Sequence, residues 1–459
     1  MAYARSMDAS TPDGGGTAPA WAAPAAARPV QAELTLPGSK SMTNRALVLA
    51  ALADGPGSLT GPLRARDTSL MAAALTALGA VIEGPAPRPA DGAAAGPAVW
   101  RVSPGLPATG TSVDVGNAGT VMRFVPPVAA LTGVAVRFHG DPRASQRPVG
   151  PLLAALREFG AVIDDDGRGA VPFTVRGTGS LPGGAVTLDA SASSQLVSGL
   201  LLSAPRYAKG AEVRHHGHRP PSAPHISMTV QMLRDAGAEV ETASRGGGPL
   251  PDTWRVHPGR LLPRAAVVQP DLVNSAPFLA AALVTGGTVT IRDWPAATTQ
   301  PASQILEVFG QLGGSCELTP AGLVVTGTGT VRPITADLAD VSEIAQVVAV
   351  LTALASGRSR LTGIGHMRRH ETDRLAAIAT EINALGGAVT ELPDGLEITP
   401  RPLRAGGRPL DSYDDHRMVM AGAVLSLAVP GLAIAGAATV GKTFPEFRRL
   451  WAQMLEHVP

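Results

Sequence analysis

The sequence predicts an α/β protein of two domains, each built from three similar subdomains. Its 459 residues are too many for one hydrophobic core, and a hydrophobic content of 45% is ample for burying two. Two kinds of helix alternate along the chain in six copies each, and short strand candidates follow them. This repeat is far longer than a solenoid period, so we expect βαβαβ units, each with room for an extra strand, grouped three to a domain.

The first kind of helix opens with a polar turn and continues as a smooth Ala/Leu/Val helix that a glycine closes. Ser, Thr, Asn and Asp are favoured at helix N-caps, so each copy has a clear start. The copies are SKSMTNRALVLAALADG (39–55), GNAGTVMRFVPPVAALTG (116–133), SSQLVSGLLLSAPRYAKG (193–210), DLVNSAPFLAAALVTGG (271–287), DVSEIAQVVAVLTALASG (340–357) and DDHRMVMAGAVLSLAVPG (414–431).

The second kind of helix is amphipathic and runs into a glycine and then a short strand. Five copies share this pattern, and a sixth, FRRLWAQMLEHV (447–458), ends the chain before its glycine. The five are MAAALTALGAVIE (71–83), LLAALREFGAVID (152–164), MTVQMLRDAGAEVE (228–241), ILEVFGQLGGSCE (305–317) and IATEINALGGAVT (378–390).

Two Pro/Gly-rich stretches, at 37–38 and 258–263, are candidates for crossings between the domains. If the first strand, Gln31 to Leu36, pairs with the C-terminal half, the chain crosses twice. We therefore expect one domain of residues 30–37 plus 265–459, a second of residues 38–264, and a disordered tail of residues 1–29. A two-strand hinge of this kind is typical of domains that close over a ligand.

Composition and charge exclude several classes of protein. A net charge of +1 with 16% charged residues argues against nucleic-acid binding, which needs a basic face. The single cysteine, Cys316, forms no internal disulfide and fits a reducing compartment. Gly, Pro or charge interrupts each apolar run before it is long enough to span a bilayer. We expect a cytoplasmic monomer that contacts neither nucleic acid nor membrane.

Positive side chains collect at the helix starts. Arg45 and Arg123 lie a turn into apolar helices, where a buried unpaired guanidinium is very costly, so each is expected to need an anion. Unpaired N–H groups at helix N-termini also attract anions. Because equivalent helix starts face the same end of each repeated domain, a small, multiply anionic ligand is expected where they meet. The other cations at such starts are Lys40, Arg147, Arg374, Arg417 and Lys442.

Seven short motifs along the chain make a resemblance to a known family specific. They are PGSKSMTNR (37–45), GNAGTVMR (116–123), RPVGPL (147–152), ASSQ (192–195), HETDRL (370–375), DDHRM (414–418) and GKTFPEF (441–447). In this order the set resembles that of the 5-enolpyruvylshikimate-3-phosphate synthase family. The resemblance implies the two-domain enolpyruvyl transferase fold, with three βαβαββ units per domain and an active site in the cleft between them. It also implies that phosphoenolpyruvate gives its enolpyruvyl group to the 5-hydroxyl of shikimate 3-phosphate and phosphate leaves, without cofactor or metal.

The resemblance also assigns roles to residues. Glu371 is expected to protonate C3 of phosphoenolpyruvate, Glu343 to act as base toward the 5-hydroxyl, and Lys40 to lie between them. The turn that begins DLVN, at Asp271, has no ligand role. Shikimate 3-phosphate is assigned Lys40, Ser41, Arg45, Ser193, Ser194, Gln195, Ser222, Glu343, His366 and His370. Phosphoenolpyruvate is assigned Lys40, Asn117, Gly119, Arg147, Gln195, Arg374, Arg417 and Lys442, and at Gly119 a methyl group would obstruct the backbone approach.

The chain departs from the family pattern at four places. Glu343 stands where Asp is common, His366 and His370 stand where Asn and Lys are common, and His225 stands where Tyr is frequent. His370 would act as a charged donor only with a raised pKa.

Two alternatives remain. UDP-N-acetylglucosamine enolpyruvyl transferase resembles this family but relies on a loop cysteine, and Cys316 falls at a strand position. A non-catalytic anion-binding relative should have lost Lys40, Glu371 or several arginines, which this chain keeps.

Overall fold

The computed structural model describes residues 19–84, 98–106, 110–245, 247–248 and 250–456. In this part of the chain each of the twelve repeated motifs forms a helix. The helices are α1 Lys40–Ala51, α2 Arg66–Ala77, α3 Gly119–Ala129, α4 Gly150–Glu158, α5 Ser194–Ser203, α6 Pro224–Asp235, α7 Ala276–Thr285, α8 Ala302–Gln311, α9 Ala345–Ala353, α10 Arg374–Ala384, α11 His416–Ser426 and α12 Phe447–Glu456.

Short strands connect these helices and form six sheets. The strands are β1 Trp21–Ala22, β2 Gln31–Leu34, β3 Gly57–Thr60, β4 Val81–Glu83, β5 Val99–Ser103, β6 Thr111–Asp114, β7 Ala135–His139, β8 Val162–Asp164, β9 Phe173–Arg176, β10 Gly184–Asp189, β11 Ala211–His216, β12 Val240–Ala243, β13 Thr253–Val256, β14 Ala265–Val267, β15 Thr288–Arg292, β16 Ser315–Thr319, β17 Gly322–Thr326, β18 Thr335–Asp337, β19 Ser359–Thr362, β20 Ala388–Leu392, β21 Gly395–Thr399, β22 Leu410–Asp411 and β23 Ala433–Ala435.

One repeat shows the plan that the five four-stranded sheets share. Strand β6, helix α3, strand β7, helix α4 and the hairpin β8–β9 follow one another, and their sheet has the order β6-β7-β9-β8. The first two strands are parallel and the hairpin is antiparallel, which confirms the predicted βαβαββ unit. The glycines that end the even-numbered helices take a left-handed conformation, with φ from 86° to 100°, and turn the chain directly into the next strand. They are Gly79, Gly160, Gly237, Gly313 and Gly386.

The odd-numbered helices form the centre of each half because they are apolar on every side. Every residue of α3 is buried, whereas only four residues of the amphipathic α4 are. Helices α1, α3 and α5 pack against one another in the N-terminal half, and α7, α9 and α11 do so in the C-terminal half. The halves have separate hydrophobic cores, which confirms the two-domain fold of three repeats each.

The chain crosses between the halves twice, with an exchange of strands. Strand β2, near the N-terminus, lies parallel to β15 and completes a sheet of the C-terminal half. Strand β14 lies parallel to β3 and completes a sheet of the N-terminal half. The second crossing therefore follows Val267, three residues beyond the boundary expected from the sequence. The two connections run side by side, since Ser39 N–H donates to the Gln269 carbonyl at 2.8 Å and Asp271 N–H to that of Pro37 at 2.9 Å.

The predicted disordered tail is wrong for residues 19–29, and its first part, residues 1–18, lies outside the described residues. Strand β1 pairs antiparallel with β23. The described part of the last repeat ends with α12, and β1 is the third strand of its sheet, beside β23. The Trp21 ring meets the ring of Phe447 edge-on at 6.3 Å, and Trp451 Nε1 donates to the Pro24 carbonyl at 3.4 Å. Aromatic packing thus holds this arm on the C-terminal half.

No helix within the described ranges combines the length and the apolar character that crossing a membrane requires.

Candidate active site

The polar turns of both halves meet around one cavity, as the repeat predicts. The N-terminal half contributes mainly cations and hydroxyls, and the C-terminal half contributes cations, carboxylates and imidazoles. Of the residues assigned from the sequence, those lining the cavity are Lys40, Ser41, Arg45, Arg147, Ser193, Gln195, Glu343, His370, Glu371, Arg374 and Arg417. The others lie behind this first layer or at its edge: Asn117, Gly119, Ser194, Ser222, His366 and Lys442.

Glu371 lies at the centre of a cluster of cations. Its Oε1 is 3.1 Å from Lys442 Nζ and 3.8 Å from Arg147 Nη1, and its Oε2 is 3.1 Å from Arg374 Nη2. All four side chains are 5 to 8% exposed. Burial alone would favour the neutral acid, but the charges of Lys442, Arg147 and Arg374 outweigh it and hold the pKa of Glu371 well below its usual range. Glu371 is therefore ionised in the free protein.

Arg374 connects Glu371 to a second buried carboxylate. Its Nε donates to Asp415 Oδ2 at 2.6 Å and its Nη2 to Asp415 Oδ1 at 3.1 Å, a two-bond geometry that suits a planar guanidinium. Asp415 also caps α11, because its Oδ1 accepts the backbone N–H of Arg417 at 2.8 Å. Burial opposes the charge on Arg374, but Asp415 and Glu371 outweigh it and raise its pKa. Arg374 is thus held by Asp415 on one side and by Glu371 on the other.

Contacts across the cleft show that the two halves are closed on each other. The carbonyl of Asn117 accepts from Arg147 Nη1 at 2.7 Å and, across the cleft, from Lys442 Nζ at 3.1 Å. Arg143 Nε, at the edge of the cavity, donates to the backbone carbonyl of Glu371 at 3.0 Å. These bonds bring the cations of the N-terminal half against the Glu371 cluster.

Gly119 begins α3 beside the same cations, where space is short. A Cβ at this position would lie 2.7 Å from Arg147 Nη2, 3.0 Å from Arg123 Nη1 and 3.1 Å from Gln195 Oε1. The protein's own side chains therefore leave no room for a methyl group without a shift. Arg123 is held by the Gly119 and Pro148 carbonyls and by Gln195 Oε1, at 3.1 to 3.3 Å. It lines the cavity although the resemblance assigned it no role.

Arg45 satisfies its charge differently from what the sequence predicted. Its Nε donates to Thr229 Oγ1 at 2.7 Å, its Nη1 to the Ser41 carbonyl at 3.0 Å, and its Nη2 to the His225 carbonyl at 3.1 Å and to Ser198 Oγ at 3.2 Å. These partners are all neutral, so the expected anion is replaced by a set of aligned oxygens. Burial lowers the pKa of Arg45 to about 9, so the guanidinium keeps its charge at neutral pH.

Lys40 has a carboxylate partner that the sequence did not reveal. Its Nζ lies 3.3 Å from Oδ2 of Asp67, a residue 2% exposed at the start of α2. Lys40, Glu371 and Glu343 line the same cavity, and the position of Lys40 between the two carboxylates stays a prediction. The Lys40 backbone N–H donates across the hinge to Asp271 Oδ2 at 3.1 Å. Asp271 also lines the cavity, although its turn was expected to have no ligand role. The signal for Asp67 was only an acid in a first helical turn.

Glu343 has hydrogen-bond donors rather than cations as its nearest neighbours. Ser222 Oγ donates to its Oε1 at 2.9 Å, and His225 Nδ1 lies 3.4 Å from the same oxygen. Both partners come from the N-terminal half. The other oxygen, Oε2, is buried without a hydrogen-bond partner among the described residues. Burial raises the pKa of Glu343, but His225 and the hydrogen bonds outweigh it and leave the pKa lowered.

The two histidines of the HMRRHETDR segment are neutral. Burial, opposed by Glu343, lowers the pKa of His366 to about 4, and its Nε2 lies 3.1 Å from Ser342 Oγ. Burial and the charge of Arg374 lower the pKa of His370 well below its usual range. Arg374 Nη1 is 3.0 Å from His370 Nδ1, so this nitrogen accepts and the ring proton is on Nε2. His370 thus supplies no charge, and its ring can donate only from Nε2.

The serine turn at the start of α5 is organised as a helix cap. Ser193 Oγ accepts the Gln195 backbone N–H at 3.2 Å, and Ser193 and Gln195 line the cavity while Ser194 is buried beside them. Several further residues line the cavity without a substrate-binding role assigned from the sequence, and three of them have long polar or ionisable side chains. They are Gln300, Arg369 and His416.

Solved structures resemble this fold over nearly the whole chain. Two structures of EPSP synthase from Acinetobacter baumannii share 24% sequence identity with it at a TM-score of 0.73, and the matches cover 93 and 94% of this chain and 96 and 97% of theirs. The enolpyruvyl transferase NikO from Streptomyces tendae shares 16% identity at a TM-score of 0.70, covering 94% of this chain and 96% of its own. At these identities the likeness establishes the fold.

The family assignment comes from the sequence. Residues 24–451 match the model of the family EPSP synthase (3-phosphoshikimate 1-carboxyvinyltransferase), and this range contains all seven motifs and both walls of the cleft. The resemblance drawn from the motifs is confirmed, and the chain belongs to the EPSP synthase family.

Proposed function

We propose that the cleft binds phosphoenolpyruvate and shikimate 3-phosphate together and transfers the enolpyruvyl group to the 5-hydroxyl of the acceptor, releasing phosphate. The observation that carries this proposal is the cluster around Glu371. Three buried cations from both halves surround one carboxylate there, which leaves an excess of positive charge for a multiply anionic ligand. Such a cluster suits a substrate that carries both a phosphate and a carboxylate.

Phosphoenolpyruvate is assigned to this cluster. Lys442, Arg147 and Arg374 would hold its phosphate and carboxylate while keeping their contacts to Glu371. The guanidinium of Arg417 lines the cavity and makes no hydrogen bond or ion pair with any other described residue, so it is free to bind an anion. The remaining residues proposed for this substrate are Lys40, Asn117, Gly119 and Gln195.

Shikimate 3-phosphate is assigned to the neighbouring wall, where hydroxyls and hydrogen-bond donors prevail. Arg45 and the α5 turn would bind its charged groups, and Glu343 would face its hydroxyls. His366 does not line the cavity, so we propose for it only an indirect role through Ser342. The remaining residues proposed for the acceptor are Lys40, Ser41, Ser193, Ser194, Gln195, Ser222 and His370.

The proposed chemistry is an addition followed by an elimination. C3 of phosphoenolpyruvate takes a proton while the acceptor oxygen attacks C2, and loss of phosphate then restores the double bond. Glu371 supplies the proton at C3, and for this its pKa must rise from the low value of the free protein. The anionic groups of phosphoenolpyruvate would produce that rise, because they neutralise the cations that keep Glu371 ionised. Glu343 belongs to the basic side of the reaction.

A direct assay tests this function. We expect phosphate release from the wild-type protein when phosphoenolpyruvate and shikimate 3-phosphate are both present, and none with either substrate alone. UDP-N-acetylglucosamine in place of the acceptor should give no release. Phosphate release from phosphoenolpyruvate with the UDP sugar, and none with shikimate 3-phosphate, would support the rival transferase. Ligand binding without any turnover would support a non-catalytic relative.

The structure favours neither alternative. The rival relies on a loop cysteine, whereas Cys316 lies in β16, does not line the cavity, and has its thiol pKa raised by burial.

We also propose domain limits of 30–37 plus 268–459 and of 38–267, supported by the exchange of β2 and β14 between the sheets. A cytoplasmic location and a monomeric state stay predictions.

A further inference from the structure

Two side chains, His225 and Glu343, face each other across the closed cleft, and the family resemblance assigned no role to His225. His225, at the start of α6 in the N-terminal half, has its Nδ1 3.4 Å from Oε1 of Glu343 in the C-terminal half. The two side chains are 12 and 23% exposed and both residues line the cavity. Ser222 Oγ donates to the same Glu343 oxygen at 2.9 Å and holds the carboxylate in place.

This contact determines which nitrogen of His225 is available. Neither ring nitrogen of His225 forms a hydrogen bond with another described residue. Nδ1 is the nitrogen nearest the Glu343 oxygen, and a carboxylate oxygen accepts hydrogen bonds, so we assign the ring proton to Nδ1 and the lone pair to Nε2. Nε2 makes no hydrogen bond with any other residue in the part of the chain that the structure describes. An imidazole with a free Nε2 lone pair, oriented through Nδ1 by a buried carboxylate, is the arrangement by which enzymes take a proton from a hydroxyl.

Burial keeps the His225 ring neutral, and the charges around it act in both directions. The groups that act on it are Glu343 and Asp271, which favour the imidazolium, and Arg45 and Lys40, which oppose it. Burial is the largest effect, and the pKa of His225 is lowered. A neutral imidazole accepts a proton at pH 7. The tyrosine frequent at this position in the family cannot, because a phenol is already protonated below a pKa of about 10.

We infer that Nε2 of His225 is the atom that takes the proton of the acceptor 5-hydroxyl, and that Glu343 acts through it by fixing its tautomer and stabilising the imidazolium. This inference rests on the proposed function and deepens it. As the O5–H bond breaks, the oxygen forms its bond to C2 of phosphoenolpyruvate and C3 takes a proton from Glu371. In the elimination C3 returns that proton, the bond from C2 to the phosphate oxygen breaks, and the departing phosphate takes the proton held by His225.

The pair also links the base to closure of the cleft. His225 and Ser222 belong to one half and Glu343 to the other, so the imidazole has its orienting carboxylate only when the halves meet. Proton removal is thereby confined to the closed complex, from which bulk water is excluded.

His225→Gln tests the inference, with His225→Tyr as a second variant and His216→Gln, on the exposed side of β11, as the matched control. We expect the two His225 variants to lose about 100-fold or more in kcat, with the KM values of both substrates changed less than about threefold. The wild-type rate should rise with pH through the pKa of His225, and both variants should lack this limb. The control should match the wild type.

Glu343→Asp separates the two bases. A carboxylate that acts directly would tolerate this change, since Asp is common there in the family, whereas a shorter arm breaks the contact to His225 and should lower kcat about as much as His225→Gln does. A kcat within about threefold of wild type in His225→Gln or His225→Tyr, or a loss confined to KM for shikimate 3-phosphate, would overturn the inference. Binding of shikimate 3-phosphate to each variant verifies its fold. A wild-type protein without turnover would refute the proposed function instead.

Discussion

Glu371 and Glu343 are two carboxylates in one cleft, and their surroundings are opposite. Glu371 is held by the ammonium of Lys442 and the guanidinium groups of Arg147 and Arg374. Glu343 is held by a serine hydroxyl and a neutral imidazole, and one of its oxygens has no partner among the described residues. Cations surround the first carboxylate, whereas the second has one hydroxyl donor and a neutral ring beside it.

The neighbouring side chains decide when each carboxylate is protonated and how firmly it is oriented. A carboxylate among cations gains a proton only when another anion takes a share of those cations, so the protonation of Glu371 depends on the substrate. A carboxylate that carries hydrogen-bond donors on one oxygen is fixed in orientation and changes little when the substrate arrives. In the proposed mechanism, two identical side chains thus divide the acidic and the orienting tasks.

The largest expected effect comes from removing the proton-carrying oxygen at the cationic cluster. Glu371→Gln keeps the shape of the side chain but cannot transfer a proton, and we expect kcat to fall about 1,000-fold. The KM for phosphoenolpyruvate should not rise, because three cations lose their internal competitor. Steady-state phosphate release measures both, with the surface variant Glu391→Gln as control. A kcat near that of the control would mean that Glu371 does not carry the proton.

Much of this architecture was predictable because its determinants are local. The apolar odd helices, the amphipathic even helices and the glycines such as Gly79 each lie within one short segment, so the repeat count followed directly from the sequence. The strand exchange was predictable only in part. Gln31–Leu34 is a recognisable strand, whereas Ala265–Val267 has just three residues, and only its partner β3 makes it a strand of the N-terminal half.

The site was predictable in its membership and less so in its pairings. Motifs indicated Lys40, Glu371 and the arginines as residues of the site, but contacts between repeats decide which of the charged side chains form pairs. Asp67 belongs to the next helix, and no local pattern marks it as the partner of Lys40. Burial likewise controls the protonation of His370, and burial is a property of the folded chain.

The next effect concerns how the cluster is supported. Asp415→Asn removes the negative charge that holds Arg374 by two bonds, and among the described residues Glu371 is then the one carboxylate left in contact with Arg374. Because both Asp415 and Arg374 are buried, we expect the free energy of unfolding to fall by about 3 kcal/mol. Urea unfolding measures this, with the exposed Glu317→Gln as control. Equal urea midpoints for Asp415→Asn and the control would show that Glu371 alone satisfies Arg374.

The smallest expected effect is the uptake of less than one proton when phosphoenolpyruvate binds. It allows a direct comparison of Glu371 with Glu343. Glu371 is ionised at pH 7 in the free protein because its pKa is held well below its usual range. Binding of phosphoenolpyruvate shares out the cations and raises that pKa, so the complex should take up protons, and the uptake should grow as the pH falls from about 8 to 6. Titration calorimetry in buffers of different ionisation enthalpy, without acceptor so that no turnover occurs, gives the number of protons.

Subtraction isolates the contribution of Glu371 from that of the ligand phosphate, which also titrates in this range. Wild type should take up more protons than Glu371→Gln, by an amount below one. Glu343→Gln should match the wild type, because no Lys or Arg side chain in the described part of the chain contacts Glu343. Binding of phosphoenolpyruvate therefore takes no contacting cation away from this carboxylate. Equal uptake by wild type and Glu371→Gln would mean that the proton for C3 comes from another group. A loss confined to Glu343→Gln would exchange the tasks of the two carboxylates.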